Sequence, residues 1–178
     1  PAVTLPADPP QAAEALLEQA GLRPREGQRY LGVTVRPWPG FEEKLPAFAA
    51  AIDYAYERYG LLPVFISIES KLDHAAAGQV VSRLQKAPAA ILPACKRSEL
   101  SIALFSRMDI ALSMRLHALI FAAARGVPLV GVVYDPKVSA FLDSVDQDLY
   151  IPLDQLAAPS LCALLDSAAQ RRQDRAAL

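Results

Sequence analysis

A chain of 178 residues, of which 53% are of hydrophobic types, is long enough to build one globular domain around a substantial core. Its 18 lysines and arginines nearly balance 19 aspartates and glutamates, which argues against a protein that coats nucleic acid or binds membranes through a polybasic surface. No apolar run approaches the roughly 18 residues that a transmembrane helix needs. The two cysteines, Cys95 and Cys162, lack metal-binding spacing, so we expect free thiols in a reducing cytoplasm.

Hydrophobic periodicity and turn residues predict strands that alternate with helices along most of the chain. A proline-rich lead-in over 1–10 precedes a first helix over 11–20, and a polar connector over 22–28 follows it. Strands are then predicted over 30–36, 63–68, 89–93, 108–112, 129–133 and 149–152. Helices are predicted over 42–59, 73–86, 99–107, 114–125, 136–144 and 160–175, with Gly21, Gly60 and Gly126 as helix stops and Ser98 as an N-cap.

Such alternation predicts an α/β fold, a Rossmann-like doubly wound parallel sheet with the strand order 3-2-1-4-5-6. The strands are continuous apolar runs, as expected where helices cover both faces of a sheet. Ligands of these sheets bind outside the carboxyl ends of the strands, near the switch between the first and fourth strands. Arg36 ends the first strand, residues 113–117 follow the fourth and residues 134–137 follow the fifth. We therefore expect three segments that carry cations to meet at one crevice.

The segment after the fourth strand carries two candidate ligands for an anion, Ser113 and Arg115. Ser113 is predicted to cap the helix that begins at Met114, which would turn free N–H groups toward the crevice, although such a cap can also be purely structural. The planar guanidinium of Arg115 suits a phosphate or a carboxylate. The alternative for Arg115 is an ion pair with a neighbouring acid on the surface.

His117 is the candidate catalytic residue, because it lies near the predicted crevice and near Arg115. The alternative is a buried core histidine, since the helix around it is otherwise apolar. Positions two apart on a regular helix point about 200° apart. Arg115 and His117 are therefore not expected to face one ligand unless the first turn is distorted or the ligand sits across its end.

Lys137 and Arg36 complete the predicted anion site. Asp135 and Pro136 form an N-cap and N1 pair, so Lys137 lies in the first turn of a helix, where its ammonium could reach a phosphate. The alternative is a lysine that is simply solvated. Arg36 at its strand end could bind the same anion, and Trp38 beside it is expected to anchor its loop rather than to serve as a stacking platform.

Several common functional motifs are missing from the sequence. It contains no GxGxxG and no GxxxxGK[ST], which removes the usual support for dinucleotide and P-loop nucleotide binding. It contains no GxSxG nucleophile elbow and no Cys/His set with zinc spacing. We therefore expect neither a metal nor a tightly bound cofactor.

Three motifs stand at these strand ends: Met-Arg-Leu-His-Ala-Leu-Ile-Phe-Ala at 114–122, Gly-Val-Pro-Leu-Val-Gly at 126–131 and Tyr-Asp-Pro-Lys-Val at 134–138. Taken together, they resemble the polysaccharide pyruvyl transferase family, and Val-Arg-Pro-Trp at 35–38 fits the same family. The nearest resemblance is to its CsaB-type branch, which pyruvylates bacterial secondary cell-wall polysaccharide in S-layer anchoring. The likeness spans roughly residues 30–150.

The resemblance implies that phosphoenolpyruvate, as a co-substrate, donates a pyruvyl group to two hydroxyls of one sugar, typically an N-acetylmannosamine, and that phosphate leaves. His117 would then be the general acid or base. Arg115, Lys137, Arg36 and Ser113 would hold the donor, together with the helix start at 114. The saccharide acceptor would be lipid-linked, which implies a cytoplasmic enzyme that works at the inner face of the membrane.

Family members resemble two-domain GT-B glycosyltransferases, so the chain, which starts with Pro1 instead of Met, is expected to be the carboxyl-terminal lobe of a longer enzyme and to lack its amino-terminal domain. Residues 1–28 would be a lead-in segment and a helix from the inter-domain connection, and residues 29–178 the Rossmann-like lobe. Two alternatives remain open. One is a nucleotide-sugar-dependent GT-B glycosyltransferase domain, and the other is a non-catalytic interaction domain that keeps only the fold.

Overall fold

Six parallel strands form the centre of the part of the chain that the structure describes. The computed structural model describes residues 5–22 and 25–177. Its strands are β1 (Arg29–Thr34), β2 (Leu61–Ile66), β3 (Ala90–Leu92), β4 (Ile110–Ser113), β5 (Leu129–Val133) and β6 (Tyr150–Pro152). They lie in the order β3-β2-β1-β4-β5-β6, and every neighbouring pair is parallel. The predicted doubly wound sheet and its strand order are therefore confirmed.

Among the described residues, seven helices flank the sheet. They are α1 (Pro10–Gln19), α2 (Leu45–Tyr59), α3 (Ser70–Val81), α4 (Ser98–Ser106), α5 (Leu116–Ala124), α6 (Pro136–Ser144) and α7 (Ala158–Ala176). Single 3-10 turns at Glu42–Lys44 and Leu153–Gln155 precede α2 and α7. Within the described ranges no helix is long and apolar enough to cross a membrane.

Each face of the sheet has its own apolar core, because alternate strand side chains point to opposite faces. On one face the strand residues pack with Phe48 of α2 and Leu161 of α7. On the other face they pack with Leu17 of α1, Leu104 of α4 and Leu119 of α5. Because helices cover both faces of the sheet, residues outside the core can gather at the ends of the strands.

A polar contact joins α2 to α7 at the rim of the first core. The hydroxyls of Tyr54 and Tyr59 both donate to Oδ1 of Asp166, over 2.8 Å from Tyr54. Burial and the hydrogen bond to Asp166 raise the pKa of Tyr59 to about 12. Because the carboxylate accepts only from protonated hydroxyls, this contact depends on both tyrosines staying neutral.

Several predicted boundaries are wrong for identifiable reasons. Helix α3 ends at Val81 instead of residue 86, because the carboxylate of Asp53 accepts the backbone N–H groups of Gln85, Lys86 and Ala87 and folds them into a turn. Ser98 is not an N-cap, since α4 begins at Ser98 and its N-cap is Arg97. The predicted glycine stop of α2 is confirmed: Gly60 has φ 66°, a left-handed conformation that favours glycine.

Parts of two predicted segments lie outside the described residues. They are residues 1–4 of the predicted lead-in and residues 23 and 24 of the predicted connector.

Candidate active site

The carboxyl ends of β1 and β4 lie side by side at the switch point of the sheet. Thr34 and Ser113 are partners in the register, and the N–H of Met114 donates to the carbonyl of Thr34 over 2.9 Å. Arg36 follows β1 by two residues, and Arg115 follows β4 by two residues. Two arginines thus leave the sheet from adjacent strands at the edge where doubly wound folds bind ligands.

Ser113 shapes the turn between β4 and α5. Its buried hydroxyl accepts the N–H of Arg115 over 2.9 Å and donates to the carbonyl of Arg115 over 3.0 Å. The prediction that Ser113 is the N-cap is wrong, because α5 begins at Leu116 and its N-cap is Arg115, with extended backbone angles and no side-chain cap. The hydroxyl instead holds Arg115 in this extended conformation, and a contact of Ser113 with substrate stays a prediction.

Arg115 is buried in an ion-pair cluster with two acids at the start of α3, the N-cap residue Glu69 and Asp73 of the first turn. Its Nε lies 3.2 Å from both carboxylate oxygens of Asp73, and its Nη2 donates to Asp73 and, over 3.1 Å, to Oε2 of Glu69. Arg115 is 6% exposed and Asp73 1%, whereas the side chain of Glu69 is 66% exposed. Burial lowers the pKa of Arg115, but the hydrogen bonds and charges of the two acids outweigh it, so the pKa is raised above its usual value.

His117 is exposed at the second position of α5, so the alternative of a buried core histidine is wrong. Its ring has the ring of Phe121 as an aromatic neighbour, with the centroids 6.3 Å apart. The expected conflict between Arg115 and His117 does not arise, because Arg115 precedes the first helical residue and the angular spacing of a regular helix does not apply to it.

Arg36 lies between two aromatic rings. Its Cζ is 5.3 Å from the ring centroid of Trp38 and 5.0 Å from that of Tyr134, and Nη1 donates to the Tyr134 hydroxyl over 2.9 Å. The ring centroids of Trp38 and Tyr134 are themselves 4.6 Å apart, and Trp38 is 39% exposed. Within the described residues, Nε of Arg36 and Oγ1 of Thr34 are buried without a hydrogen-bond partner. Unsatisfied buried polar atoms at the end of β1 need an explanation, and a bound ligand is one.

Lys137 is exposed at the start of α6. Asp135 is the N-cap, as predicted: its Oδ1 accepts the N–H of Lys137 over 2.9 Å, and Pro136 follows as the first helical residue. The ammonium lies 3.9 Å from Oδ2 of Asp135, which is a loose surface pair that costs little to give up.

The structure therefore brings Arg36, Arg115, His117 and Lys137 to one carboxyl edge of the sheet, although their contacts with a substrate stay predictions. The starts of α5 and α6 add the partial positive charge of two helix N-termini. Within residues 5–22 and 25–177, no cluster of three or more His, Cys, Asp or Glu side chains could hold a metal ion. Such an edge can bind an anion of several charges and present an imidazole to it.

Two acids of this site, Asp73 and Glu69, escaped the sequence-based prediction. Asp73 was assigned to a helix start and Glu69 to a loop, and both lie more than forty residues before Arg115 in the chain. A usable signal was present, because an acid at the start of a helix after a buried strand lies at the same edge as the predicted cations.

Comparison with known proteins is consistent with this geometry. A profile of the family described as polysaccharide pyruvyl transferase matches residues 1–136. The match therefore reaches further toward the start of the chain than the motifs did, and it stops one residue before Lys137. No curated protein matches the sequence.

Solved structures of similar fold are glycosyltransferases. The chain resembles ADP-heptose LPS heptosyltransferase II of E. coli with a TM-score of 0.69 and 14% identity, over 96% of this chain and 54% of that one. It resembles a family 9 glycosyl transferase of Veillonella parvula with a TM-score of 0.64 and 13% identity, over 94% and 54%. The chain thus spans about half the length of these GT-B proteins, and the likeness shows the fold alone.

The family profile covers more than half of the chain, including β1, β4, α5 and the segment that holds Arg36, Arg115 and His117. The chain belongs to the polysaccharide pyruvyl transferase family.

Proposed function

We propose that this chain is the donor-binding lobe of an enzyme that transfers a pyruvyl group from phosphoenolpyruvate to a saccharide of a bacterial cell-wall polysaccharide. The observation that carries the proposal is the placement of three cationic side chains and an exposed histidine at one edge of the sheet, in a member of this family. Phosphoenolpyruvate carries a phosphate and a carboxylate on adjacent groups. It therefore needs several cations within one small site.

Arg36, Arg115 and Lys137 are the proposed donor ligands. Arg36 and Arg115 each lie two residues after a strand, and Lys137 is the second residue of α6, all at the carboxyl edge of the sheet. The Nε of Arg36, which has no hydrogen-bond partner among the described residues, supplies an unused donor. The free N–H groups at the starts of α5 and α6 would add backbone hydrogen bonds to the phosphate. No further cofactor is proposed, because the donor itself carries the reactive group.

His117 is the proposed general acid. In the reaction a proton adds to the methylene carbon of phosphoenolpyruvate, which leaves an oxocarbenium-like centre at C2. Two sugar hydroxyls form bonds to C2 and the bond from C2 to the phosphate oxygen breaks. Of the two hydroxyl protons, one leaves with the phosphate and the other replaces the proton that His117 gave to the methylene carbon. An exposed imidazole beside the anion site can supply the first proton without being buried itself.

The acceptor is a saccharide, as the family name indicates. We propose that it is lipid-linked, that it meets a cytoplasmic enzyme at the inner face of the membrane, and that a second, amino-terminal lobe supplies much of its binding site. On this lobe a cavity of about 360 Å³ borders Trp38 and Tyr134, with Glu43, Lys44 and Asp154 on its rim. An exposed aromatic face with polar groups around it suits a sugar ring.

A nucleotide-sugar-dependent glycosyltransferase is the second candidate, because the solved structures of similar fold are glycosyltransferases. A direct binding experiment separates the two. Trp38 is the only tryptophan of the chain and contacts Arg36, so its fluorescence should respond to an anion bound there. A saturable response to phosphoenolpyruvate, and none to UDP or ADP, supports the proposed donor, whereas a response to the nucleotides alone contradicts it.

Lys137→Ala should lower the affinity in this titration by about tenfold, since it removes a charge-assisted contact without touching Trp38. Lys86→Ala is the matched control, because Lys86 is an exposed lysine in a comparable surface pair with Glu57. Equal affinities of the two variants would show that the response does not come from the proposed site.

A further inference from the structure

We propose that Asp73 is the positioning residue of the donor site: it holds the guanidinium of Arg115 by one edge, while the exposed Glu69 occupies the place that a ligand oxygen takes. This inference rests on the proposed function, in which Arg115 binds the donor. It concerns two acids at the start of α3, Glu69 as its N-cap and Asp73 in its first turn, which act on a side chain that follows β4.

Asp73 is fixed from two sides. Its Oδ2 accepts the N–H of Ile68 over 3.0 Å and the N–H of Glu69 over 2.9 Å, which ties the carboxylate to the start of α3. The same carboxylate receives Nε and Nη2 of Arg115. Asp73 is only 1% exposed, so its carboxylate is held away from water. If it moved away, the buried Arg115 would lose its partner.

The pairing decides which donors of Arg115 remain for a ligand. A carboxylate on Nε and Nη2 uses one edge of the planar guanidinium. The end-on edge, formed by Nη1 and the second hydrogen of Nη2, is left. Within the described residues Nη1 makes no hydrogen bond, and Nη2 meets only Glu69 on this edge. The edge can therefore receive the two oxygens of a carboxylate or phosphate once Glu69 moves.

Glu69 differs from Asp73 in exposure. Its side chain is 66% exposed, so its pair with Arg115 is a surface salt bridge and is easily replaced by another anion. The net charge of the cluster also favours the displacement of Glu69 by an anionic ligand. Arg115 with both acids carries a net charge of −1, which repels an anionic donor, whereas Arg115 with Asp73 alone is neutral. Displacement of Glu69 therefore favours donor binding.

The test measures KM and kcat for phosphoenolpyruvate in the complete enzyme that carries this chain. Asp73→Asn keeps an oxygen for the two backbone N–H groups but removes the charge that orients Arg115. We expect KM for phosphoenolpyruvate to rise by about tenfold or more, with a smaller change in kcat. Asp53→Asn is the matched control, because Asp53 is also a buried acid that accepts backbone N–H groups, but in the turn after α3.

A similar loss of melting temperature in both variants, with KM raised only in Asp73→Asn, supports the positioning role. An unchanged KM in Asp73→Asn overturns it. If Asp73→Asn does not fold, Asp73→Glu replaces it: the charge is kept on a longer side chain, so the ion pair survives with a shifted guanidinium, and KM must still rise. A KM equal to the wild-type value in a folded Asp73→Glu overturns the proposal as well.

Glu69→Gln tests the second part of the proposal, that a ligand oxygen displaces Glu69 from Arg115. Because Gln carries no charge to compete for Arg115, KM for phosphoenolpyruvate at or below the wild-type value supports displacement. A rise as large as that of Asp73→Asn overturns it, since Glu69 would then be a fixed part of the site. The wild-type enzyme distinguishes a failure of the proposed function from a failure of this inference. No turnover of phosphoenolpyruvate by wild type sinks the proposed function, and this inference with it, whereas normal wild-type turnover with unaffected variants sinks this inference alone.

Discussion

Replacing His117 with glutamine keeps a hydrogen-bonding side chain at the start of α5 but removes the imidazole that the proposed mechanism uses as its proton donor. If His117 protonates the methylene carbon of the donor, His117→Gln should lower kcat by about 10²-fold or more. This loss corresponds to about 2.7 kcal/mol in activation free energy. KM for phosphoenolpyruvate should change much less, because three other cations hold the donor.

The stability cost of this change should be small. His117 is exposed, and its aromatic neighbour Phe121 is 6.3 Å away between ring centroids. A surface substitution of this kind is worth within about 0.5 kcal/mol of the free energy of unfolding. His117→Ala should be equally stable, so that a loss of rate in either variant reports chemistry and not unfolding.

The assay is phosphate release at saturating phosphoenolpyruvate and acceptor, together with the melting temperature of each variant. His74→Gln is the matched control, because His74 is the other histidine of the chain and is also exposed. A kcat of His117→Gln close to wild type would reduce His117 to a donor-binding residue. A large fall in melting temperature for His117→Ala would instead indicate a packing role.

Three further outcomes are expected. Lys137→Ala in the complete enzyme should lower kcat/KM for phosphoenolpyruvate by about tenfold or more, measured by phosphate release; an unchanged kcat/KM would remove Lys137 from the site. Tyr59→Phe should reduce the loss of stability at alkaline pH. The raised pKa of Tyr59 contributes fully to stability below pH 10, and this contribution is lost as the pH rises from 10 to about 12. The melting temperature of wild type should therefore fall more steeply in that pH window than the melting temperature of Tyr59→Phe. The 178-residue chain alone should fold, as circular dichroism would show, yet turn over no phosphoenolpyruvate with an acceptor; measurable turnover would mean that no second lobe is needed.

The strand order was predictable because short apolar runs, which predict strands, alternate along the chain with longer helical patterns. Apolar runs such as 129–133 are too short for helices, and glycines at 60 and 126 end the helices before them. Right-handed connections then allow few arrangements of six parallel strands. Once the order is known, the carboxyl edge is known, and with it the neighbourhood of Arg36, Arg115, His117 and Lys137.

The contacts of the site were less predictable, because they join residues far apart in the chain. Arg115 meets Asp73 across 42 positions, and Arg36 meets Tyr134 across 98. The prediction of Ser113 as an N-cap also gave α5 a start at residue 114, whereas the hydroxyl of Ser113 holds Arg115 in an extended conformation and the helix begins two residues later. Local patterns cannot reveal such side-chain contacts, since the competing conformations differ by only one or two hydrogen bonds.

Mass spectrometry of a saccharide acceptor, incubated with phosphoenolpyruvate and the complete enzyme, tests the central claim most directly. We expect the acceptor to gain the mass of one pyruvic acid less one water, in step with one inorganic phosphate released, and to gain nothing when phosphoenolpyruvate is omitted. An acceptor that gains a sugar from a nucleotide-sugar donor, and no mass from phosphoenolpyruvate, would contradict the claim.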